Sequence, residues 1–437
     1  MKNLKHLFTV LLLLCSTIAF AEEVTINGIT YDVITKVAKV IAKETGKYSG
    51  NIIIPTTIEH NGATCSVISI ENEAFSNCSD LTSITIPNSI TSIGEYAFVE
   101  CSSLTAVHIS DLAAWYNINF SGYYSNPLYD AKNLYLNGNL VTELVVPDGV
   151  TEIKNYAFQA YSGLTSVTIP NSVTSIGEYA FWGCSGLKSI EIPNSVTSIG
   201  SSAFSRCSGL KSIEIPNSVT SIGDGAFYDT AWYNNQPDGI VYAGKVLYGY
   251  KGTMPENTEI IVKEGTLGIT SYAFYGCSGL TSVTIPNSVT SIGDVAFEGC
   301  ENLADVYCLA TTVPETTTYT FYNSYPENLT LHVPAEAINN YKKTAPWSSF
   351  GNIVALTESE AYIEDIPATV ALITSNNGVL YINCALENES VGIYTTNGTL
   401  IDETTIENGN ATVQSDLSKG SIAIVKIGNK SIKVILN

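Results

Sequence analysis

Positive charge is the scarcest property of this 437-residue sequence. It contains 20 Lys and Arg against 41 Asp and Glu, which gives a net charge of −21, and its only arginine is Arg206. Nucleic-acid binding needs clustered basic side chains that displace phosphate counterions, and docking on anionic lipid needs them as well. The composition therefore argues against both kinds of partner. We interpret the negative charge as the property that keeps an exported protein soluble.

Long apolar runs are absent beyond the N-terminus. Lys2 and Lys5 precede an apolar stretch from Leu7 to Phe20, which is too short to span a bilayer comfortably, and Ala19–Ala21 fits an A-x-A cleavage site. We expect residues 1–21 to be a signal peptide and the mature chain to begin at Glu22 without a transmembrane helix. The predicted location is extracellular or the outer surface of a bacterial cell.

The side chains that carry catalysis and metal binding are also few. Besides His6 in the predicted signal peptide, the histidines are His60, His108 and His332, and none has a recurring Ser, Cys or carboxylate pair beside it. No C-x-x-C pair, P-loop, dinucleotide fingerprint or EF-hand loop occurs. We expect no catalytic residue, no metal site and no cofactor. The alternative is a secreted glycan-handling protein, accessory or catalytic, which the short C-terminal tail without histidine disfavours.

What the sequence has in abundance is an internal repeat. The segment IPNSV begins at Ile169, Ile192, Ile215 and Ile285, and the first three copies are 23 residues apart. The Phe of each Ala-Phe pair gives the same period, with five of seven gaps equal to 23 and the gaps of 60 and 47 each holding one irregular coil. Repeats of this length indicate a solenoid. These phenylalanines fall at positions 75, 98, 158, 181, 204, 227, 274 and 297.

Residues 187–209 form one regular copy of the repeat. Ile190 and Ile192 have strand spacing, so both are predicted to point into the core. A second short extended piece ends at Ile199, Gly200 is expected to allow a tight turn, and Phe204 is expected to lie on a single helical turn. One coil cannot bury its own apolar face, so each Phe should pack on the Phe of the next coil. The other apolar positions are Leu187, Val196, Ala203 and Cys207.

The pattern L-x-x-I-x-I-P-x-S-V-T-x-I-G-x-x-A-F-x-x-C resembles the BspA-like leucine-rich repeat family of bacterial surface proteins, from about Val24 to Leu356. It departs from the common leucine-rich consensus, which has Asn at the position of Ser195. The resemblance implies a right-handed β-rich solenoid. It also implies a surface or secreted protein without catalytic activity, because several members of the family act in adhesion to host matrix or to other bacteria.

The organisation that we predict has six parts, and the last of them, the C-terminal tail, allows two interpretations. The tail, with Val391–Gly398, Leu417–Gly420 and Ile422–Ile427, resembles the sorting domain of type IX (Por) secretion, although Ser421-Ile422 replaces the usual x-Tyr after the glycine. That resemblance implies passage across the outer membrane; the alternative is an ordinary β-domain. The parts are a signal peptide (1–21), an N-terminal β cap (22–62), a solenoid (63–333) with irregular coils at about 110–146 and 228–262, a helical cap (334–357) with a helix at 334–343, a linker (358–367) and a β-sandwich (368–437).

The cysteines allow two interpretations. Cys78 and Cys101, Cys184 and Cys207, and Cys277 and Cys300 are each 23 residues apart. Export would permit disulfides between coils, and stacking would equally give a ladder of buried thiols. We favour thiols, because some coils have another residue at the position of the cysteine, which a framework of disulfides would not tolerate.

The candidate binding residues lie at outward strand positions and in the irregular coils. Outward positions give a polar sheet face with stacked carboxylates, which either grips an extracellular protein or glycan or is simply solvated. Both irregular coils contain Ala-Trp-Tyr-Asn, which supplies either binding anchors or a structural plug. A third function, ice contact or a surface layer, is disfavoured by the stacked Lys and Glu side chains. The candidates are Glu191, Glu214, Trp115, Tyr116, Tyr123, Tyr124, Trp232 and Tyr233.

Overall fold

The computed structural model describes residues 21–356 and seven segments of the C-terminal part. The predicted linker, nearly all of the predicted signal peptide and the segment 417–420 lie outside the described residues. The chain divides into two compact units, Met1–Pro237 and Asp238–Asn437. The seven C-terminal segments are 371–376, 379–384, 390–395, 399–407, 410–414, 422–427 and 430–435.

The first unit begins with a strand-rich segment. Glu22–Ile26, Ile29–Ile34 and Val37–Val40 form an antiparallel meander, and Thr57–His60 pairs antiparallel with Ala63–Ile70. The meander joins the repeat because its third strand runs parallel to Ala63–Ile70. Alternation of buried and exposed side chains along these strands places one face of the sheet on the core.

Each regular coil of the first unit contains two strands and a turn. In the copy at 187–209 the first strand is Ser189–Glu191 and the second is Ser198–Ile199. Phe204 lies in consecutive hydrogen-bonded turns, with the Cys207 amide donating to the Phe204 carbonyl at 3.1 Å, and not in the helical turn that we expected. Both strands pair parallel with their equivalents in adjacent coils.

The remaining elements of the first unit follow this plan. First strands of coils are Gly50–Ile53, Leu81–Thr85, Ala106–Ile109, Leu134–Leu136, Glu143–Val145, Ser166–Thr168 and Ser212–Glu214. Second strands are Ser92–Ile93, Asn119–Phe120, Glu152–Ile153, Ser175–Ile176 and Ser221–Ile222. The short helices are Leu112–Asn117, Leu128–Ala131 and Ala231–Asn234, and Asn139–Leu140 is an extra strand antiparallel to Leu134–Leu136.

The second unit contains the same kind of coil. A hairpin of Gly239–Ala243 and Val246–Lys251 opens it and pairs parallel, through its second strand, with Gly268–Ile269. That strand pairs in turn with Ser291–Ile292. The first strands form one parallel sheet in the order Thr258–Ile261, Leu280–Ile285, Asp305–Cys308, Thr330–Val333 and Asn352–Ala355.

The predicted helix at 334–343 is much shorter in the structure, where only Ile338–Tyr341 is α-helical. Pro346 follows closely, and a proline disfavours helical backbone at the residue before it. A 3₁₀ turn at Trp347–Ser349 then leads into the last strand. Trp347 and Phe350 are buried and meet the ring of Phe321 edge-on, so aromatic side chains cover the last stacked phenylalanine.

The described C-terminal strands form two antiparallel sheets. One has the order Ala371–Asn376, Val379–Cys384, Asn410–Gln414. Buried side chains from both sheets, among them Leu380 and Val425, form a single apolar cluster. The sandwich arrangement stays a prediction. The other sheet has the order Leu400–Thr405, Ser390–Thr395, Ile422–Ile427, Lys430–Ile435.

The stacked phenylalanines are confirmed as the core of the repeat. In the first unit the ring of Phe204, which is fully buried, lies between those of Phe181 and Phe227 with centroids 5.4 and 5.7 Å away and nearly parallel planes. In the second unit Phe297 lies 5.2 Å from both Phe274 and Phe321. All eight apolar positions predicted for the copy at 187–209 are buried.

The glycine before the turn has a different role from the one that we expected. The backbone of Gly200 is not left-handed; instead, a Cβ atom there would lie 2.5 Å from the backbone nitrogen of Glu178 in the preceding coil. Gly223 and Gly293 meet the preceding backbone at 2.3 and 2.2 Å in the same way. Real Cβ atoms do not approach so closely, so glycine is required because adjacent coils almost touch at this point.

Candidate functional site

The two carboxylates predicted on the strand face lie side by side. Glu191 and Glu214 are exposed and are direct partners in the register of parallel strands. Exposed Lys188 and Lys211 precede these strands, yet neither lysine forms an ion pair with a carboxylate within the described residues. Like charges opposite each other are mildly destabilising. This strand face is therefore polar and exposed to solvent at both carboxylates.

The first Ala-Trp-Tyr-Asn segment is internal. Asp111 caps its helix by accepting hydrogen bonds from the amides of Ala113 and Ala114. Trp115 and Tyr116 are only 1% exposed, and the Trp115 indole donates to the Ala157 carbonyl at 3.0 Å. The binding interpretation needed exposed rings, so it is wrong for these two residues. They fill the space that a stacked phenylalanine occupies in regular coils.

The second segment is only partly covered. Thr230 caps the helix Ala231–Asn234 through its hydroxyl oxygen, which accepts a bond from the Tyr233 amide. Trp232 is half-buried, and its ring meets that of Phe227 edge-on with centroids 5.2 Å apart. The backbone amide of Trp232 donates to the Leu210 carbonyl. The two copies of one motif therefore differ in exposure.

Tyr123 and Tyr124 belong to a larger group of aromatic rings, which we call the aromatic cluster: Tyr123, Tyr124, Tyr129, Tyr179 and Trp182. Tyr123 is its centre, with ring centroids 5.1 to 5.6 Å from the other four. All five side chains are half-buried, so part of each ring faces solvent. Burial and neighbouring tyrosines raise the pKa of Tyr123 to about 12, which keeps its hydroxyl protonated at neutral pH.

Exposed tyrosines recur at two positions of the coil in both units. One position lies two residues before the stacked Phe and the other lies one residue after it. Side chains at these two positions are exposed in some coils and buried in others, as Gln159 and Ser205 are. The residues exposed by half or more are Tyr96, Tyr272 and Tyr319 at the first position and Tyr228, Tyr275 and Tyr322 at the second.

The backbone at the first of these positions is left-handed. Tyr96, Tyr156, Tyr179 and Tyr272 have φ between 53° and 62°. A side chain other than glycine costs roughly 1 kcal/mol in this conformation. Gly225 occupies the same position in another coil with φ 58°, so the fold accepts glycine there. Glu73, Ser202 and Val295 occupy the same left-handed position in other coils, so the fold does not require tyrosine there.

The eight described cysteines are thiols, and seven of them are buried. Cys207 lies in the turn after Phe204 and donates its S–H to the Phe181 carbonyl at 3.0 Å. Cys101, Cys184 and Cys300 make the same bond to the phenylalanine carbonyl of the preceding coil. The thiol thus gives a second hydrogen bond to a carbonyl that already accepts a backbone amide within its own turn. Burial raises the pKa of Cys207 from 9.0 to about 12.

The histidines do not assemble a reactive site. His60 contacts Glu22 and Asn61, and His332 contacts Asp305 at 2.8 Å. His108 stacks on a tyrosine ring. In the part of the chain that the structure describes, no group of three His, Cys, Asp or Glu is arranged to hold a metal ion. No helix in the same part is long and apolar enough to cross a membrane.

Comparison with protein families decides what these coils are. The family described as "BspA type Leucine rich repeat region (6 copies)" matches residues 54–127, 131–236 and 250–350, which is more than half of the chain. The chain belongs to the BspA type leucine-rich repeat family. Proteins with this repeat are typically extracellular or at the cell surface. No significant match to a curated protein is found.

Several solved structures are similar to this BspA type chain. A leucine rich cell surface protein from Faecalibacterium prausnitzii is 24% identical, covers 78% of this chain and 96% of its own, and has a TM-score of 0.35. A leucine-rich repeat protein from Bacteroides ovatus is 25% identical, with coverage of 79% and 83% and a TM-score of 0.35. Pneumococcal vaccine antigen PcpA is 18% identical, with coverage of 78% and 100% and a TM-score of 0.29. Because these TM-scores are low, the family assignment rests on the repeat match.

The recurring tyrosines of this BspA type repeat were missed in the sequence. The signal was present, since Tyr occurs two residues before the stacked Phe in five coils. The 23-residue period is set by apolar inward positions, whereas these tyrosines alternate with other residues at variable positions. The tyrosines at this position are Tyr96, Tyr156, Tyr179, Tyr272 and Tyr319.

The buried thiols predict a loss of stability in alkali. A thiol that ionises near pH 9 when unfolded and near pH 12 when folded, as for Cys207, stabilises the fold fully below pH 9. As pH rises from 9 to 12 this contribution falls by about 1.4 kcal/mol per pH unit for each such thiol. Denaturant unfolding at pH 7, 9 and 10 should show the decline, and Cys207→Ala should make it shallower. An identical pH slope in the variant would contradict the assignment.

Proposed function

We propose that this chain is a secreted or cell-surface leucine-rich repeat protein that mediates macromolecular interaction, namely adhesion to host matrix protein, glycan or other cells, without catalysis. The observation that carries the proposal is the repeated exposure of tyrosine at the two outward positions beside the stacked Phe. Tyrosine offers a large, rigid contact area with a polar tip, and it is enriched at binding interfaces.

The fold does not need these tyrosines. Ser202 and Gly225 occupy the position two residues before the Phe in two coils, and Ser205, in the same coil as Ser202, and Glu298 occupy the position after the Phe. These coils stack like their neighbours, with phenylalanine rings in register. An exposed aromatic side chain that the fold does not require, and that the left-handed backbone disfavours, is best explained by contact with a partner.

Membership of the family supports the same function. BspA-like repeat proteins are generally non-catalytic surface proteins, and leucine-rich repeat proteins generally bind protein partners. Of the residues predicted for binding, we retain Tyr123, Tyr124, Trp232 and Tyr233 as part of the proposed aromatic surface. Glu191 and Glu214 define a second, polar candidate surface.

We also propose the route of export. Residues 1–21 act as the signal peptide and residues 368–437 act as a type IX sorting domain. The basis is the sequence pattern in both segments, together with the separate apolar cluster that the C-terminal strands form.

The binding function is tested with an array of matrix proteins and glycans. The double variant Tyr272→Gly/Tyr275→Ala should bind its ligand at least about tenfold more weakly, because interface aromatics carry much of the binding free energy. Its melting temperature should stay within a few degrees of the unmodified chain, since glycine is native at the position equivalent to Tyr272.

The matched control is Glu191→Gln/Glu214→Gln, which removes charge from the polar strand face. This variant should bind normally. If it loses binding while the tyrosine variant keeps it, the strand face is the interaction surface. If the unmodified chain captures nothing on the array, the interaction function itself is wrong.

Export is tested by display in a host with type IX secretion. Removal of residues 368–437 should leave the protein in the periplasm, whereas the full chain should cross the outer membrane and reach the cell surface. Surface labelling with an antibody to the repeats measures the difference. Unchanged display of the truncated chain would refute the sorting function.

A further inference from the structure

The aromatic cluster joins coils that are not neighbours. Tyr123 and Tyr129 come from the first irregular coil, and they contact Tyr179 and Trp182 two coils further along the chain. The rings of Tyr129 and Trp182 lie nearly parallel, 16° apart, with centroids separated by 6.3 Å. The intervening coil contributes Ala160, which has no bulky side chain to separate the two sides.

Arg206, the only arginine of the chain, lies on this cluster. Its guanidinium is 5.2 Å from the centroid of Trp182, a cation–π distance, and the residue is exposed. Among the described residues no carboxylate lies within 4.0 Å of it. Arg206 also has a left-handed backbone with φ 59°, and the two adjacent coils carry Gly183 and Asp229 at the equivalent position. Its guanidinium can therefore pair with an anion brought by a ligand.

A second cation stands at the other side of the cluster. The Lys132 ammonium is 4.9 Å from the centroid of Tyr129, and burial lowers its pKa. Asp130 is the nearby carboxyl, and it interacts with Lys132. Asp130 thus partly offsets the charge of Lys132, and Arg206 is the cation of the cluster that has no carboxylate within 4.0 Å among the described residues.

A buried amide lies in the intervening coil. Gln159 occupies the position equivalent to Trp182, is fully buried, and neither atom of its side-chain amide has a hydrogen-bond partner within the described residues. The coil that carries Gln159 lies between the coil of Tyr123 and Tyr129 and the coil of Tyr179 and Trp182. An unpartnered buried amide is unfavourable, so a ligand hydroxyl that reached it would stabilise the complex.

We propose that the aromatic cluster and Arg206 bind an acidic glycan, with a sugar ring on the solvent-facing part of the cluster and the sugar carboxylate paired with the guanidinium. The proposal rests on the interaction function proposed above and names its ligand class. Sugar C–H faces stack on aromatic rings, and the planar arginine fork matches a carboxylate with two hydrogen bonds. One guanidinium suits one carboxylate per sugar, whereas the overall negative charge repels a densely sulfated chain.

The test is calorimetric titration of the full chain with a galacturonic acid trimer and with the neutral galactose trimer. The acidic trimer should bind at least about tenfold more tightly. Arg206→Gln should abolish this preference without changing the affinity for the neutral trimer, and Arg206→Lys should restore only part of it because lysine lacks the planar fork. Trp182→Ala should weaken both trimers.

Lys211→Gln is the matched control, since it removes one exposed positive charge from the same unit away from the cluster. It should leave the preference unchanged.

Gln159→Leu gives an independent readout: the melting temperature should rise, because an unpartnered amide is removed, while the affinity for the trimer falls. A merely structural glutamine would change the first quantity alone, and that result would exclude Gln159 from the site.

Equal affinity for both trimers would overturn the proposal, and so would a preference for the acidic trimer that survives Arg206→Gln. Arg206-dependent binding of a sulfated trimer or of a hexaglutamate peptide that is tighter than binding of the galacturonic acid trimer would also overturn it. A failure of the acidic-glycan proposal can be distinguished from a failure of the general interaction function. If the array finds a ligand whose binding depends on Tyr272 and Tyr275 but not on Arg206, the interaction function stands and the acidic-glycan site is refuted.

Discussion

The close approach of adjacent backbones is the constraint on which the rest of this fold depends. Parallel strands pair at about 4.8 Å. Adjacent coils keep that spacing at both strands, and the Phe ring centroids follow at 5.1 to 5.7 Å. At Gly200 and its equivalents the approach leaves no room for a Cβ atom. The glycine, the stacked ring and the thiol that reaches back one coil all serve the same contact.

This constraint divides each coil into inward positions that are tightly specified and outward positions that are not. Ile190, Phe204 and Cys207 are buried and pack against adjacent coils. A change in the size of any of these side chains would therefore disturb the packing between coils. The positions two residues before and one residue after the Phe are less tightly specified, and tyrosine, serine, glycine and glutamate all occur there. Binding surfaces can therefore vary from coil to coil while the core stays the same.

The sequence predicts the inward half of this division well, because a 23-residue period fixes which side chains face the core. It predicts the irregular coils poorly. Trp115 and Tyr116 are buried because the inserted coil must fill the gap between Phe98 and Phe158, and nothing local distinguishes that plug from exposed aromatics. The role of Gly200 was also misjudged, since a close contact with another coil cannot be seen in local sequence. Arg206 stood out only as a rare residue, and its place over Trp182 required coordinates.

The most direct measurement is a comparison of Gly200→Ala with Gly122→Ala by thermal and denaturant unfolding. Neither glycine has left-handed backbone, and a Cβ at Gly122 would meet only the Glu95 side chain at an ordinary 3.6 Å. We expect Gly200→Ala to lower the free energy of unfolding by roughly 1–3 kcal/mol, and Gly122→Ala to leave it unchanged or raise it slightly. Equal stability of the two variants would contradict the claim that adjacent coils are held in near-contact.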